Sequence, residues 1–401
     1  MATALEAKRP RQISLALGAL LLAGAMLVGL TYGSRLGLLM VVGALLGVSL
    51  YHAAFGFTAA WRVFISERRG RGLRAQMVML AIAVLLFFPA LGAGTLWGRE
   101  VTGFVSPIGV SVVFGAFLFG IGMQLGGGCA SGTLFTAGGG NARMVITLIF
   151  FIVGSVIGSA HFSWWMGLPA FQPVSLVQTF GAGGGIAVSL ALFGGIAALT
   201  VLLERRRHGR LEEAPRANLS ELRWLTGPWP LLLGAVALAL LNFATLALAG
   251  RPWGITSAFA LWGAKVYELV GGDVSQWGYW QNPDNAAALR ASLWSDITTV
   301  MNVGIILGAM VAATLAGRFA PTLRIPLGSV MAAIIGGLML GYGARLAFGC
   351  NIGAYFSGIA SGSLHGWVWL VAGFAGNMLG VWLRPLFFDR PPSDRARDKT
   401  R

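Results

Sequence analysis

Charged residues and cysteines are scarce in this chain of 401 residues. Asp, Glu, Lys and Arg together make up 11% of it, and cysteine occurs twice, whereas charged residues are roughly 25% of an ordinary soluble domain. Because 56% of the residues are hydrophobic, a soluble fold of this size would be unable to bury them all. The composition excludes a cytosolic enzyme, a disordered chain and a nucleic-acid-binding module, and two cysteines exclude a disulfide framework.

Motifs for nucleotide, metal and cofactor chemistry are missing from the sequence as well. It has no Walker motif, and its many Gly-x-Gly strings lie in apolar segments, where they are typical of helix packing. None of the histidines has metal-ligand spacing; they are His52, His161, His208 and His365. We therefore expect no cofactor, no bound metal and no enzymatic activity.

Long apolar stretches are abundant, and each has about the 20 residues needed to cross a bilayer. They fall at 13–31, 36–52, 75–97, 104–125, 144–162, 183–203, 229–249, 296–316, 325–346 and 366–385. Their continuous apolar character differs from the alternating pattern of a membrane barrel. The sequence therefore predicts an all-α membrane protein with about ten transmembrane helices.

Four further apolar pieces are rich in glycine and too short to span a bilayer. They lie near 53–65, 127–140, 252–265 and 348–362. Half-length segments of this kind are typical of re-entrant elements, whose non-helical backbone must be shielded by protein or line a watery cavity. We expect all four to be short re-entrant segments.

Basic residues are distributed unevenly between the predicted loops. With the N-terminus inside and ten alternating spans, six of the 29 Lys and Arg residues fall outside and the remaining 23 fall inside. The six are Arg35, Arg99, Arg251, Lys265, Arg290 and Arg345. Since cytoplasmic loops carry an excess of Lys and Arg, the split predicts that both termini are cytoplasmic, and it accounts for the net charge of +15 without a nucleic-acid partner.

An internal repeat surrounds the two cysteines. The segment GIGMQLGGGCASGTLF contains Cys129, and GYGARLAFGCNIGAYF contains Cys350. At a constant offset of 221 the identical pairs are Gly115/Gly336, Gly120/Gly341, Gly122/Gly343, Leu125/Leu346, Gly128/Gly349, Cys129/Cys350, Gly132/Gly353 and Phe135/Phe356. Upstream, residues 55–61 and 253–259 share a weaker pattern of aromatic, Gly, apolar, Thr, small, Ala and aromatic residues.

The repeat divides the chain into five parts. We predict a basic tail with an added first helix at 1–35, a first repeat at 36–165, and a connector helix with a cytoplasmic basic loop at 166–228. A second repeat at 229–388 and a basic cytoplasmic tail at 389–401 complete the chain. Because the predicted spans before the two cysteines run in opposite directions, the halves are expected to be inverted repeats, an architecture of many transporters with the pathway at the repeat interface.

Each cysteine lies in a Gly-Cys-x-x-Gly sequence between a span and a short piece. Glycine permits close backbone approach, a helix that starts there presents free N–H groups to an anion, and a thiol is a soft, weak donor that suits a sulfur-bearing anion. The candidate pathway residues are Cys129, Cys350, Gly128, Gly349, Gly132, Gly353, Ser131, Asn351, Gly56 and Gly254.

Other interpretations stay open at this point. The cysteines can be a redox or persulfide pair of an intramembrane thiol oxidoreductase or sulfur-transfer enzyme. The chain can also be a non-transporting membrane subunit, whose cysteines simply fill a tight helix crossing. Lys265 is a candidate for attracting an anion to the outer mouth. For Arg345 we favour a snorkelling side chain at the membrane interface over such a role.

The segments GGGCASGTL and GARLAFGCNIGAYFSGIASGSLHGW resemble the YeeE/YedE family of bacterial inner-membrane sulfur transporters, over most of the chain beyond the first helix. The resemblance implies an inverted-repeat helical fold and import of a small sulfur-containing anion, above all thiosulfate, past cysteines at narrow points. A related branch is associated with selenium. The implied partners are that anion, the lipid bilayer and a cytosolic sulfur-carrier protein.

One position departs from the family pattern. Thiosulfate-transporting members carry a further cysteine on the first short piece, in a sequence like R-F-C-F-x-S-A-F-R, whereas the matching stretch here reads AFGFTAAWR at 54–62. Gly56 therefore occupies the place of that cysteine. This difference bears on the substrate more than on the fold.

Overall fold

The computed structural model describes residues 2–213, 223–321 and 324–388. The predicted basic tail at 389–401 and part of the predicted cytoplasmic loop, 214–222, lie outside these residues. Helices account for nearly all regular structure in the described ranges. In them, ten helical segments are long and apolar enough to cross a membrane, which confirms the predicted all-α membrane class.

The first half of the chain contains nine helices and a small hairpin. The helices are α1 (Ala2–Tyr32), α2 (Ser34–His52), α3 (Phe57–Glu67), α4 (Arg71–Ala93), α5 (Val110–Gly126), α6 (Ala130–Gly138), α7 (Ala142–Ala160), α8 (Phe162–Met166) and α9 (Leu176–His208). Strands β1 (Thr95–Leu96) and β2 (Arg99–Glu100) form the antiparallel hairpin. Strand β3 (Ile108–Gly109) pairs antiparallel with β4 (Ala170–Phe171).

The second half repeats this order with an inserted loop. Its helices are α10 (Leu231–Ala249), α11 (Thr256–Leu269), α12 (Gly278–Gln281), α13 (Pro283–Arg290), α14 (Ile297–Leu315), α15 (Leu327–Leu346), α16 (Ser357–Ala360) and α17 (Leu364–Leu383). A π-helical turn (Asn351–Phe356) precedes α16, and 3₁₀ turns occur at Leu293–Ser295 and Arg384–Leu386.

Several predicted span boundaries differ from the helices by a few residues or more, and two of these helices have a helix-breaking residue nearby. Helix α5 begins at Val110 and not near 104, because Pro107 lies between two glycines and prevents a helix there. Instead, the backbone N–H of Phe104 donates to the Ser361 hydroxyl at 2.9 Å. Helix α9 begins at Leu176 and not near 183, and it is interrupted at Gly181, whose φ of 69° is left-handed.

The short pieces take two different forms. Three of them become helices shorter than a span, namely α3, α6 and α11. The fourth is the π-helical turn followed by the four-residue α16. Neither that turn nor the short helices α12 and α13, which follow α11, were predicted.

Helix packing follows the internal repeat. Helix α2 packs against α14, and their counterparts α10 and α4 pack against each other; α7 packs against α15 as α17 packs against α5. At the centre, α5 contacts α15 and α2 contacts α10. Small residues permit this approach: a Cβ at Gly336 of α15 would collide with the backbone of Gly126 of α5.

The periphery is apolar. Large side chains such as Leu22, Val371 and Trp382 are 62%, 71% and 74% exposed. An apolar outer surface of this kind is unfavourable in water and suits contact with lipid. The chain is therefore a multi-pass membrane protein.

Candidate functional site

The first Gly-Cys turn joins α5 to α6. Gly127 ends α5 in the left-handed conformation with φ 92°. Cys129 is extended and immediately precedes α6, and its carbonyl oxygen accepts from both the backbone N–H and the hydroxyl of Thr133, each at 2.8 Å. Its Sγ lies 3.3 Å from the Ser131 hydroxyl. The thiol is thus held at the N-terminus of a helix, beside a hydroxyl.

The second turn joins α15 to the π-helical turn. Gly349 has φ +145°, a conformation that favours glycine, and Phe348 before it has φ 53°. The Cys350 carbonyl accepts from Ala354 N–H at 2.8 Å, and its Sγ accepts from the backbone N–H of Ile352 at 3.4 Å. Both predicted turns therefore place a cysteine at the start of a helical segment.

A side chain at the glycine before each cysteine would meet backbone. An added Cβ at Gly349 would lie 2.8 Å from Ala354 N, and one at Gly128 would lie 3.1 Å from the carbonyl carbon of Gly132. The first distance is too short for a real contact, and the second is tight. The requirement for glycine is therefore stricter before Cys350.

The two cysteines belong to one buried core. Cys129 and Cys350 are 1% and 0% exposed, and both thiols are free. Helix α6, which follows Cys129, contacts the π-helical turn that follows Cys350. The structure thus brings the two sequence repeats together in the middle of the protein.

Asn351 lies directly after Cys350 and is fully buried. Neither its side-chain oxygen nor its side-chain nitrogen has a hydrogen-bond partner among the described residues. Buried polar groups are nearly always paired, so a free amide next to a thiol is a feature that requires a reason. Its NH₂ group is a donor that no described residue uses.

A cavity of about 340 Å³ lies next to the second turn and is called here the Gly353 cavity. Gly254, Gly349 and Gly353 contribute to its wall, together with Arg251 and Arg345. A Cβ at Gly353 would have no atom within 4 Å, so this glycine faces open space. The structure therefore brings three predicted glycines to one cavity.

A second cavity of about 300 Å³ lies beside α3 and is called here the Gly56 cavity. Its wall includes Gly56, Arg69, Arg71, Gln76 and Glu212. These arginines are paired: Arg71 lies 3.6 Å from a Glu212 oxygen, and Arg69 lies 3.4 Å from the buried Glu204 carboxylate. The positive charge of this cavity is therefore largely balanced.

An aromatic cluster occupies the core near the second cysteine. The Tyr355 ring is stacked with Trp369 at 6.3 Å between centroids and meets Phe57 and Trp61 edge-on at 6.0 and 5.9 Å.

Neither cysteine belongs to the wall of the Gly353 cavity or of the Gly56 cavity. The thiols are thus closed off from both cavities.

Two basic candidates have different positions from those expected. Arg345 is only 6% exposed, so the snorkelling position favoured from the sequence was wrong: the side chain is held inside by Tyr279, whose hydroxyl accepts from Nη1 at 2.5 Å. Lys265 is half-buried, donates to the Leu289 carbonyl at 2.8 Å and does not line the Gly353 cavity.

Sequence reasoning missed two members of the core. Gln76 joins the Gly56 cavity to the aromatic cluster, because its side-chain oxygen accepts from Trp61 Nε1 at 3.0 Å. Tyr355 lies in the π-helical turn. A glutamine inside an apolar span, and a tyrosine in a chain that has only six, were signals that would have pointed to them.

Known proteins match the chain along most of its length. Residues 52–379 match the model of the family described as sulphur transport. A protein named thiosulfate transporter TsuA from Spirochaeta thermophila is 29% identical over 360 residues, which cover 86% of this chain and 97% of that protein.

Two relatives from Escherichia coli match as well. One, also named thiosulfate transporter TsuA, is 27% identical over 380 residues, which cover 89% of this chain and 96% of the relative. The other, named probable transporter YedE, is 34% identical over 168 residues, 41% of this chain and 40% of the relative.

Proposed function

This chain belongs to the sulphur transport family, and from that premise we propose that it is a permease that imports thiosulfate across a bacterial cytoplasmic membrane. Relatives with thiosulfate transporter in their names match it over nearly their whole length. The observation that carries the proposal is the pair of free, buried cysteines that begin two helical segments in contact with each other.

The two turns present weak hydrogen-bond donors to an anion. The N–H groups at the start of α6 have no side-chain cap beyond Cys129 and favour negative charge. The Asn351 amide has no partner among the described residues, and the thiols are soft and only weakly hydrogen-bonding. Weak contacts hold a permeating ion briefly and let it leave, as conduction requires. Thiosulfate has a terminal sulfur that a thiol can contact, whereas sulfate has only oxygens.

We also propose that the two halves are inverted repeats with re-entrant short pieces. The matching helix contacts in the two halves support this, as does the 23-to-6 distribution of basic residues, counted from the sequence. In this arrangement both termini are cytoplasmic, the Gly56 cavity opens inward and the Gly353 cavity opens outward. A catalytic role for the cysteines has no support from the family, and the cytosolic sulfur-carrier partner stays a prediction.

Uptake of radiolabelled thiosulfate tests the proposal. The chain is expressed in cells that lack other sulfur importers, with radiolabelled sulfate as the matched control anion. We expect thiosulfate to accumulate above the empty-vector level and sulfate not to do so. Equal accumulation of both ions, or of neither, would contradict the proposal.

Accessibility labelling tests the orientation separately. Single cysteines at Arg207 and Asp284 should react with an impermeant thiol reagent from opposite sides of the membrane, Arg207 from the cytoplasm. Reaction of both from one side would remove the inverted-repeat arrangement while leaving the thiosulfate proposal to the uptake measurement.

A further inference from the structure

The guanidinium of Arg345 is buried in the protein without an acidic partner. The residue is 6% exposed, and no carboxylate among the described residues lies within 4 Å of it. Tyr279 takes one N–H and places its ring 5.2 Å from the guanidinium carbon, but Nε has no partner. A buried charge without an ion-pair partner is costly, so its retention at the end of an apolar span requires a reason.

We propose that Arg345 is the outer binding site for the transported anion, at the wall of the Gly353 cavity and immediately before Cys350. This inference rests on the proposed function and adds to it the residue that captures the substrate. It also assigns the part of the substrate that this site holds, namely its oxygens.

The cavity has the charge and size for such an ion. Its wall contains Arg345 and Arg251 but no Asp or Glu. Its volume is about 340 Å³, which is about ten times the roughly 30 Å³ that one water molecule occupies in the liquid. A tetrahedral anion with some of its hydration water therefore fits. Oxygens are hard acceptors that match the planar guanidinium fork, whereas the soft sulfur suits a thiol.

Nearby carboxylates lower the positive potential at Arg251 more than at Arg345. A third cavity, of about 310 Å³, shares Arg251 and Tyr279 with the Gly353 cavity and is lined by Asp284 and Asp296. These carboxylates reduce the positive potential around Arg251, whose Nη2 also donates to Thr298 at 3.2 Å. Arg345 is therefore the dominant anion-binding group of the two.

The residue equivalent to Arg345 in the other half carries no charge. At the repeat offset of 221, Arg345 corresponds to Gln124, and each residue lies five positions before its cysteine. Gln124 is neutral and already bonded, since its amide nitrogen donates to the Thr58 carbonyl at 3.1 Å and to Asn377 at 2.7 Å. The Gly56 cavity, in turn, has its arginines balanced by Glu204 and Glu212. The guanidinium groups at the inner turn, Arg143 and Arg384, donate to the backbone carbonyls of Leu125 and Gln124. The outer turn is therefore the one at which we place the bound anion.

Arg345→Gln copies the residue of the other half and is the informative variant. In proteoliposomes with matched amounts of protein, it should raise the thiosulfate concentration for half-maximal uptake by about tenfold or more, because a hydrogen bond to a charged group is lost. Arg345→Lys should show a smaller rise, since the charge stays but the fork is lost. Arg290→Gln, at an exposed position on α13, is the control and should match the wild type. A wild-type half-saturation for Arg345→Gln overturns the inference.

A second measurement is independent of transport. Ser106 lines the Gly353 cavity and not the cavity that contains Asp284 and Asp296, and Ser106→Cys places a thiol there with little change in shape. A negatively charged methanethiosulfonate reagent should modify it faster than a positively charged one, and Arg345→Gln should reduce this preference by about tenfold. An unchanged preference overturns the role of Arg345. Failure of wild-type thiosulfate uptake together with a reduced preference would contradict only the proposed function.

Discussion

The Tyr355 hydroxyl donates to the Gln76 side-chain oxygen over 3.4 Å and joins the turn after Cys350 to the wall of the Gly56 cavity. The same oxygen accepts from Trp61 at 3.0 Å, so one buried amide fixes two aromatic rings. Tyr355 and its neighbours therefore separate Cys350 from the Gly56 cavity in the closed arrangement described here.

Shortening Tyr355 should open a way to Cys350. Tyr355→Ala removes the ring between the Gly56 cavity and the turn, so a small impermeant thiol reagent should label Cys350 from that side in a Cys129→Ser background. Tyr355→Phe keeps the ring and is the control, with labelling as slow as in the Cys129→Ser parent. Equal labelling of both variants would show that the ring is not the barrier.

A cysteine at Gly56 should be accommodated. An added Cβ there would lie 3.6 Å from the Ala59 Cβ, an ordinary contact, and the position lines the Gly56 cavity. We expect Gly56→Cys to express and melt like the wild type, to react with an impermeant reagent, and to change the rate or selectivity of thiosulfate uptake. A well-expressed variant that resists thiol reagents from both sides would contradict a lining role.

The glycine before Cys350 should be more sensitive than a nearby glycine that faces open space. Gly349→Ala forces a side chain into φ +145° and against Ala354, which should lower the free energy of unfolding by about 2 kcal/mol and abolish uptake. Gly353→Ala has nothing within 4 Å of its new methyl group and should melt like the wild type. Thermal denaturation in detergent, followed by fluorescence, gives the melting temperature of each variant. Equal melting temperatures would contradict the expected backbone strain at position 349.

Glu204 should be important for stability and not for substrate recognition. Its fully buried carboxylate accepts from Arg74 at 2.7 Å, from Gly70 N–H at 3.1 Å and from Glu212 N–H at 2.7 Å. Glu204→Gln leaves part of this set unpaired and should cost about 3 kcal/mol of unfolding free energy. The thiosulfate concentration for half-maximal uptake by the surviving protein should stay unchanged.

The exposed Glu213 supplies the control for that substitution. Glu213→Gln should leave the melting temperature at the wild-type value. If Glu204→Gln had the same melting temperature as Glu213→Gln, the buried carboxylate would contribute no net stability.

The fold class and the cysteine turns could be predicted from the sequence because they depend on patterns that one chain displays. Twenty-residue apolar runs indicate helices that span a membrane, and the repeated Gly-Cys-x-x-Gly sequence identified both turns before any coordinates. Helix starts were predicted less well: Pro107 precedes the late start of α5 at Val110, and α9 begins at Leu176, before the break at Gly181 that the predicted span followed.

The groups around the cysteines could not be predicted, since they depend on which distant segments meet. Arg345 looked like an interface residue because it stands near the end of an apolar span. Only the loop that carries Tyr279, distant in sequence, encloses it. Tyr355 and Gln76 are 279 positions apart, and no local pattern relates them.

Uptake by the serine series tests the central claim most directly. Radiolabelled thiosulfate uptake is measured in proteoliposomes for the wild type, Cys129→Ser, Cys350→Ser and the double variant, with thiol state recorded during turnover. We predict that each single variant folds and takes up less, that the double variant takes up least, and that no Cys129–Cys350 disulfide forms. Wild-type uptake by the double variant, or a disulfide that forms and breaks with activity, would contradict transport past two separate thiols.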